Sequence, residues 1–339
     1  MREAMLYERL EGEAVRCGLC AFRCRIAAGQ RGVCGVRENR GGTLYSLVYG
    51  RSISAAVDPI EKKPLYHFLP GSRAFSIATV GCNFTCTFCQ NADISQAPRS
   101  LSKGGGDWED WARPLSPEQV VALARRERCA AIAYTYTEPT IFFEYAYDCS
   151  RRATPEGLKN VFVSNGYMTG EALATIGDDL HAANIDLKGS DAFYRRLCGA
   201  RQAPVLETIR RMRERGVWVE VTTLVIPGHN DDEETLRELA EFLVGVDPDM
   251  PWHLSRFGPR YKLLDAPPTP VATLMRAAEI GYNAGLNYVY VGNAPGNTYE
   301  HTRCPECGAI CVHRQGYQVR NLMDGRTCRT CGYELAVIV

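Results

Sequence analysis

Between residues 74 and 292 the chain repeats one rhythm: short runs of β-branched and aromatic residues, each followed by a longer stretch whose apolar positions recur at helical spacing. The short runs predict strands at "AFSIATV" (74–80), "AAIAYTY" (130–136), "NVFVSN" (160–165), "AANIDL" (182–187), "VWVEVTTLVI" (217–226), "PWHLSR" (251–256) and "NYVYVG" (287–292). Helices are predicted from Ser116 to Arg128 after the cap-like "LSPEQ", after Glu138, from Thr169, up to Arg215, from Asp231 to Val244 and from Thr269 to Gly285. Strands that alternate with helices build βα units on a parallel sheet. Seven such units predict a parallel (β/α) barrel, full or partly open. The "KGGGDW" loop from Lys103 reads as a flexible excursion, and no internal repeat or low-complexity segment appears.

The flanks differ from this core, which divides the chain into an N-terminal segment and connector (1–72), the barrel (73–300) and a C-terminal module (301–339). Both flanks are rich in cysteine. The 339 residues include 15 cysteines, against an otherwise ordinary 45% hydrophobic and 23% charged composition. The first residues lack the basic, apolar, small-residue order of a secretory signal, and no run of eighteen apolar residues offers a membrane span. A cytoplasmic location is expected, where cysteines serve as metal ligands or catalytic thiols. The formal net charge is zero, which makes a nucleic-acid partner unlikely, since phosphate binding needs a clustered basic surface. The densest basic run, "RRMRERG" from Arg210, reads as the last turns of a helix ending at Gly216, where cations suit the helix dipole.

Eleven of the cysteines form three groups. Cys304, Cys307, Cys328 and Cys331 make a paired C-x2-C ribbon signature, each pair followed by the glycine a tight knuckle needs, for zinc or a rubredoxin-like iron. Cys17, Cys20, Cys24 and Cys34 are spaced less regularly, and zinc, an auxiliary [4Fe-4S] cluster or unliganded thiols remain open for them. Cys82, Cys86 and Cys89 share one loop. Three thiolates there can hold three corners of a cubane [4Fe-4S] cluster and leave one iron open, with a three-cysteine zinc site as the competing reading. Cys129, Cys149, Cys198 and Cys311 read as inert buried thiols.

In βα barrels chemistry gathers at the C-terminal ends of the strands. Here the first strand ends at the three-cysteine loop, the second at "TYTEPT", the third at Ser164-Asn165-Gly166, the fourth at Asp186-Leu187-Lys188-Gly189 and the fifth at "IPGHND". The sixth carries His253, and the seventh leads to Gly292-Asn293. Each group alone has a plain explanation as turn chemistry or a surface pair. Their shared placement on one rim points to a site.

The spacing Cys82-x3-Cys86-x2-Cys89, with Phe88 before the last cysteine, resembles the radical S-adenosylmethionine (SAM) superfamily, whose open iron is chelated by the amino and carboxylate groups of SAM. On that resemblance the backbone of 135–138, with Thr137 and Glu138, holds the methionine amino group, although only Glu138-Pro139 of the usual Gly-Gly-Glu-Pro is kept. Ser164 and Asn165 meet ribose and carboxylate, Phe88 packs on the adenine, His253 meets the ribose, and Asn293 completes the SAM contacts. "DLKG" and "VIPGHND" resemble the glycyl-radical-enzyme activating branch, such as pyruvate formate-lyase activase, where Asp186 and Lys188 would lie beside SAM and a peptide substrate as catalytic candidates. The whole chain is similar to the radical SAM member of the AmmeMemoRadiSam system. This implies possible Memo-like and AMMECR-like partners and a one-electron reductant of the flavodoxin or ferredoxin type. The expected cofactors are one [4Fe-4S] cluster, SAM, and zinc at one or two structural sites.

Three functions compete: a radical SAM enzyme acting on a protein or peptide, one acting on RNA or a small molecule, and a non-enzymatic iron–sulfur or zinc protein. "DPIEKKPLYHFLPG" (58–71) is rich in proline and charge, and reads as a solvated connector or as a substrate or partner surface through Lys62, Lys63 and His67.

Overall fold

The computed structural model describes residues 1–104 and 109–339. Eight strands form one sheet in unbroken sequential order: β1 (Ser54–Pro59), β2 (Arg73–Ala78), β3 (Ala131–Tyr134), β4 (Lys159–Ser164), β5 (Ala182–Asp186), β6 (Trp218–Val225), β7 (Trp252–Arg256) and β8 (Val289–Gly292). Strands β2 to β8 are parallel, with Ala131 opposite both Ala74 and Lys159. β1 runs antiparallel to β2 at the edge, and no pairing joins β1 to β8 among the described residues. The barrel is therefore the partly open form. An N-terminal strand covers its first edge, which would otherwise expose unpaired backbone groups. Of the "KGGGDW" segment, residues 105–108 lie outside the described residues, and residues up to Gly104 close a short helix begun at Ala97.

The helices start where local chemistry dictates. Helix α1 (Pro117–Arg126) opens on a capping box: the Ser116 hydroxyl accepts from the Gln119 amide, and the Gln119 side chain accepts from the Ser116 amide. Helix α2 (Phe143–Ala153) follows the Glu138-Pro139 turn, α3 (Gly170–Ile176) is capped by Thr169, and α4 (Ala203–Glu214) runs toward Gly216. Helix α5 (Glu233–Val246) is capped by Asp232, and α6 (Val271–Ala284) ends at Gly285 in the left-handed conformation. Gly281 lets α6 approach the sheet closely; a Cβ there would lie 3.0 Å from the Trp252 ring.

The inner face of the sheet is filled from below. Residues 60–69 are mostly buried: Ile60, Leu65 and His67 have no exposed surface and Lys63 is 1% exposed. The expectation of a solvated connector is thus overturned. Leu65 and Phe68 pack on the small inward residues Ala74, Ala131 and Ala182, which leave the space this plug fills. Its polar groups are partnered, as burial requires. Glu220, mid-strand in β6, accepts from the backbone amides of Tyr66 and His67 (both 2.8 Å), and Asn184 donates to the Pro64 carbonyl (2.8 Å). Lys63 donates to Asp58 (2.7 Å).

The C-terminal module clamps the plug from outside. Arg314 enters from its strand Ile310–Gln315, donates to the Tyr66 carbonyl (2.7 Å), lies over the Tyr66 ring and faces buried Glu61 at 3.8 Å. The chain end joins in: Ile338 pairs with Phe68, and the Ala336 carbonyl lies 2.6 Å from His67 Nδ1. At the other flank Arg37 ties the N-terminal segment to α2 through a buried bidentate pair with Glu144 (2.8 Å each).

Candidate metal centre and strand-end site

The loop after β2 begins at Gly81, where φ is +99° and a Cβ would meet Val36 at 2.8 Å. Glycine is required there by both conformation and space. Cys82, Cys86 and Cys89 follow, with only partial exposure or none. Donors address two of the sulfurs: the Phe84 amide reaches Cys82 Sγ at 3.4 Å, and the Ser95 hydroxyl lies 3.3 Å from Cys89 Sγ. The third neighbours another thiol. Cys86 is pushed well above the usual thiol range first by a hydrogen bond with Cys198 and then by burial. Cys198 therefore lies beside the metal loop, although the sequence reading leaves it as an inert core thiol. Three thiols on one loop with N–H and O–H donors at their sulfurs suit an iron–sulfur cluster, whose potential such donors tune.

Glu138, at the end of β3, organises the rim. Its carboxylate accepts from the Thr140 amide (2.9 Å) and hydroxyl (2.6 Å), the Ser164 hydroxyl (2.7 Å) and the Asn165 amide (2.8 Å). Burial nevertheless holds its carboxyl above the ordinary range. Asn165 in turn donates to Asn83 Oδ1 (2.6 Å), which links the β4 end to the cysteine loop. Asn91 closes the circle from the other side by donating to the Tyr136 carbonyl (2.7 Å). Thr137 spends its hydroxyl on the Thr79 carbonyl (2.8 Å). Glu138, Ser164, Asn165 and Thr137 are brought together, then, but as a network that fixes three strand ends to the metal loop.

At the end of β5, Lys188 donates to Asp186 at 2.7 Å, and its ammonium lies 5.9 Å from the Phe88 ring centre. Burial alone would lower the Lys188 ammonium, but Asp186 and the nearby thiols hold it well above the ordinary lysine range. Phe88 is buried and packs on Phe193 (ring centres 5.7 Å apart). Asn293 donates to Ser255 (2.8 Å) across β7 and β8. His253 sits apart from this set. It lies two residues before Ser255 on the same strand, and its Nε2 is 2.7 Å from Glu220 while its ring stacks on Tyr290 and meets Tyr66 edge-on. It belongs to the plug layer beneath the rim.

In the C-terminal module the four cysteines converge: Cys304 and Cys331 sulfurs are 3.5 Å apart, and Cys307 and Cys328 are 3.7 Å apart. All four ligand atoms lie within 4.8 Å of one another, as one tetrahedral ion requires. Glu220 and Arg314 are the residues sequence reasoning missed. Glu220 is a charge inside an apolar strand run, which is signal enough that a buried partner waits, whereas Arg314 sits between His313 and Gln315 and carries no such signal.

The Radical SAM superfamily model matches residues 76–243. The chain is 43% identical over 343 residues to the uncharacterized protein MJ0808 of Methanocaldococcus jannaschii, covering all of both chains. A radical SAM methyltransferase from Sphaerobacter thermophilus superposes with a TM-score of 0.50 at 18% identity, over 67% of this chain and 68% of that one. A domain of pyruvate-formate lyase-activating enzyme from Bacteroides vulgatus gives 0.43 at 20% identity, over 48% of this chain and 99% of that one. No helix among the described residues is long and apolar enough to cross a membrane. With the three-thiol loop and the strand-end network on the matched segment, the chain carries a Radical SAM superfamily domain.

Proposed function

We propose that the protein is a cytoplasmic radical SAM enzyme that abstracts hydrogen from a protein or peptide substrate, in the manner of the activating branch. The observation that carries this reading is the joining of the cysteine loop and the residues after it to the ends of β3 and β4 through Asn83, Asn91, Asn165 and Glu138. A [4Fe-4S] cluster held by Cys82, Cys86 and Cys89, together with bound SAM, would supply one-electron cleavage of SAM and the hydrogen abstraction that follows from it. The chain's own part is to bind and orient. Cys82, Cys86 and Cys89 hold the cluster, residues 135–138 face the methionine amino group, and Phe88 walls the adenine side. Glu138 keeps Ser164 and Asn165 in register with the cluster loop. Asn293 and Ser255 line the far side of the same rim.

Lys188 and Asp186 form a charged pair beside Phe88, placed to position a substrate amide or carboxyl next to the radical. The plug and Arg314 fill the barrel from below, so substrate enters at the strand-end rim. The sheet is unclosed between β1 and β8, and this favours a segment that stays attached to a larger partner over an enclosed small molecule. Memo-like and AMMECR-like proteins are the first candidates to offer. Anaerobically reconstituted protein, reduced with dithionite and given SAM, is expected to yield 5′-deoxyadenosine and methionine, and Cys86→Ala to yield neither. Deuterium from a labelled partner protein entering 5′-deoxyadenosine identifies the substrate; SAM left intact by the wild-type protein overturns the reading.

A further inference from the structure

The N-terminal cysteines stand apart from the radical SAM machinery, yet they are arranged as a site. Cys17, Cys20, Cys24 and Cys34 all line one narrow, otherwise apolar void. Two further side chains reach the same void, Arg37 and Asn83. Each is at most 2% exposed, and each carries a nitrogen with no acceptor: Arg37 Nε and Asn83 Nδ2. Buried donors left unmatched cost about 1–3 kcal/mol each unless something accepts from them. Four thiols and two orphaned donors around one space describe a guest that is bound by sulfur and is itself rich in acceptors.

A single zinc does not meet that description. Zinc–sulfur bonds of about 2.3 Å place tetrahedral sulfurs about 3.8 Å apart, as the C-terminal four already stand. The C-terminal group gathers its ligand atoms within 4.8 Å of one another, and among the described residues it is the one group found close enough for a single ion. A bare zinc ion also offers no acceptor to Arg37 or Asn83. A cubane does both: its corners hold the thiolates apart, and its sulfides accept N–H bonds.

The void also adjoins the radical SAM loop. Asn83 directly follows Cys82 and contributes to both walls. The Cys34 carbonyl would lie 3.3 Å from a Cβ on Gly81, and Arg99 donates to the Val33 and Cys82 carbonyls (2.7 Å each). On the outer side Arg23, Arg25 and Val33 are exposed.

We propose that Cys17, Cys20, Cys24 and Cys34 bind a second, fully protein-ligated [4Fe-4S] cluster that relays single electrons to the cluster on Cys82, Cys86 and Cys89. One electron enters from a carrier of the flavodoxin or ferredoxin class and one leaves to the neighbouring cluster, with no bond made or broken. The site stands independently of the proposed reaction, whereas the relay rests on it.

The full-length protein, reconstituted anaerobically with iron and sulfide, is expected to hold about eight sulfides per chain, and the Cys82→Ala/Cys86→Ala/Cys89→Ala variant about four. The cluster left in that variant is expected to have an electron paramagnetic resonance signal that SAM does not change. About four sulfides in the wild type, with about two zinc ions by X-ray absorption, overturns the site. That wild-type count needs no variant to fold. For the relay, Cys20→Ser/Cys24→Ser is compared with wild type for 5′-deoxyadenosine formation under two reductants. A loss of tenfold or more with reduced flavodoxin, but none with dithionite, supports it; equal rates with flavodoxin overturn it. SAM cleavage that fails in wild type under both reductants removes the proposed reaction and leaves the sulfide count as the test of the site.

Discussion

The two four-cysteine regions at the ends of the chain share an alphabet and differ in geometry. In the C-terminal ribbon the sulfurs have closed to 3.5 and 3.7 Å, and two of the four cysteines face solvent. In the N-terminal segment no cysteine is fully exposed, and the unsatisfied donors of Arg37 and Asn83 belong to side chains that line the same void as the four thiols. The ribbon is a knuckle built on short hairpins, so a metal there would hold the module itself. The N-terminal loop is instead tied to the Cys82–Cys89 loop by Arg99, which donates to both, and by Asn83, which lines its void, so whatever it holds is positioned relative to that loop. On the readings proposed above, cysteine sites at two ends of one chain would serve two tasks, and the partners around the thiols distinguish them.

The largest test of that contrast is to empty the ribbon. Structural zinc in small modules contributes on the order of 10 kcal/mol to folding. Chelation, or Cys328→Ser, is expected to abolish slow amide exchange across residues 301–339, whereas Cys20→Ser/Cys24→Ser leaves it unchanged. Persistent protection after metal loss breaks the assignment of a structural role to the ribbon.

Next in size is the link from ribbon to barrel. Arg314 and Glu61 side chains are fully buried together. Arg314→Met strands the Glu61 charge and is expected to cost about 3–5 kcal/mol in denaturant unfolding. Adding Glu61→Gln should return part of the loss. A cost below about 1 kcal/mol means the plug holds without the clamp.

These buried charges also show what was legible in the sequence. The parallel strands, helix caps and three-thiol loop were readable because each obeys a local rule: alternation of elements, Ser116, Thr169 and Asp232 at helix starts, cysteine spacing. The expected β7 and β6, for example, are found within one residue of their predicted bounds. The plug was not readable. Its prolines and lysines look solvated until Glu220, 153 or more residues away, accepts from its backbone and Asp58 pairs with Lys63. Likewise His253 follows a rim pattern in sequence yet belongs to Glu220, and Cys198 shows no motif although its thiol meets Cys86. Long-range polar pairing carries no sequence period, so only an out-of-place charge hints at it.

His67 gives that pairing a pH signature. It is completely buried between the Tyr290 hydroxyl and the Ala336 carbonyl, with Glu220, His253 and Arg314 as its charged or titratable surroundings. Burial lowers its pKa from the ordinary 6.5 to about 4. The unfolded chain therefore binds the proton first, so stability is full above pH 6.5 and falls as the pH drops toward 4. The loss amounts to about 3 kcal/mol. Melting curves between pH 7.5 and 4.5 should show this slope in wild type and a shallower one in His67→Gln. Equal slopes assign the acid sensitivity to the thiolate centres instead.

The smallest expected effect separates the two proposed iron centres most sharply. The Ser95 hydroxyl is 3.3 Å from Cys89 Sγ, on the loop of the strand-end site and not on the N-terminal four. A donor to a cluster sulfur stabilises the reduced, more negative state, so its removal lowers the potential. One hydrogen bond of about 0.5–1.5 kcal/mol corresponds to roughly 20–60 mV for a single electron. Ser95→Ala is expected to shift one of two redox transitions down by that amount in a titration without SAM, and to leave the other in place. A shift of both transitions together would mean that the two centres share one electrostatic environment, and a shift of neither would place the hydroxyl's proton elsewhere than on Cys89.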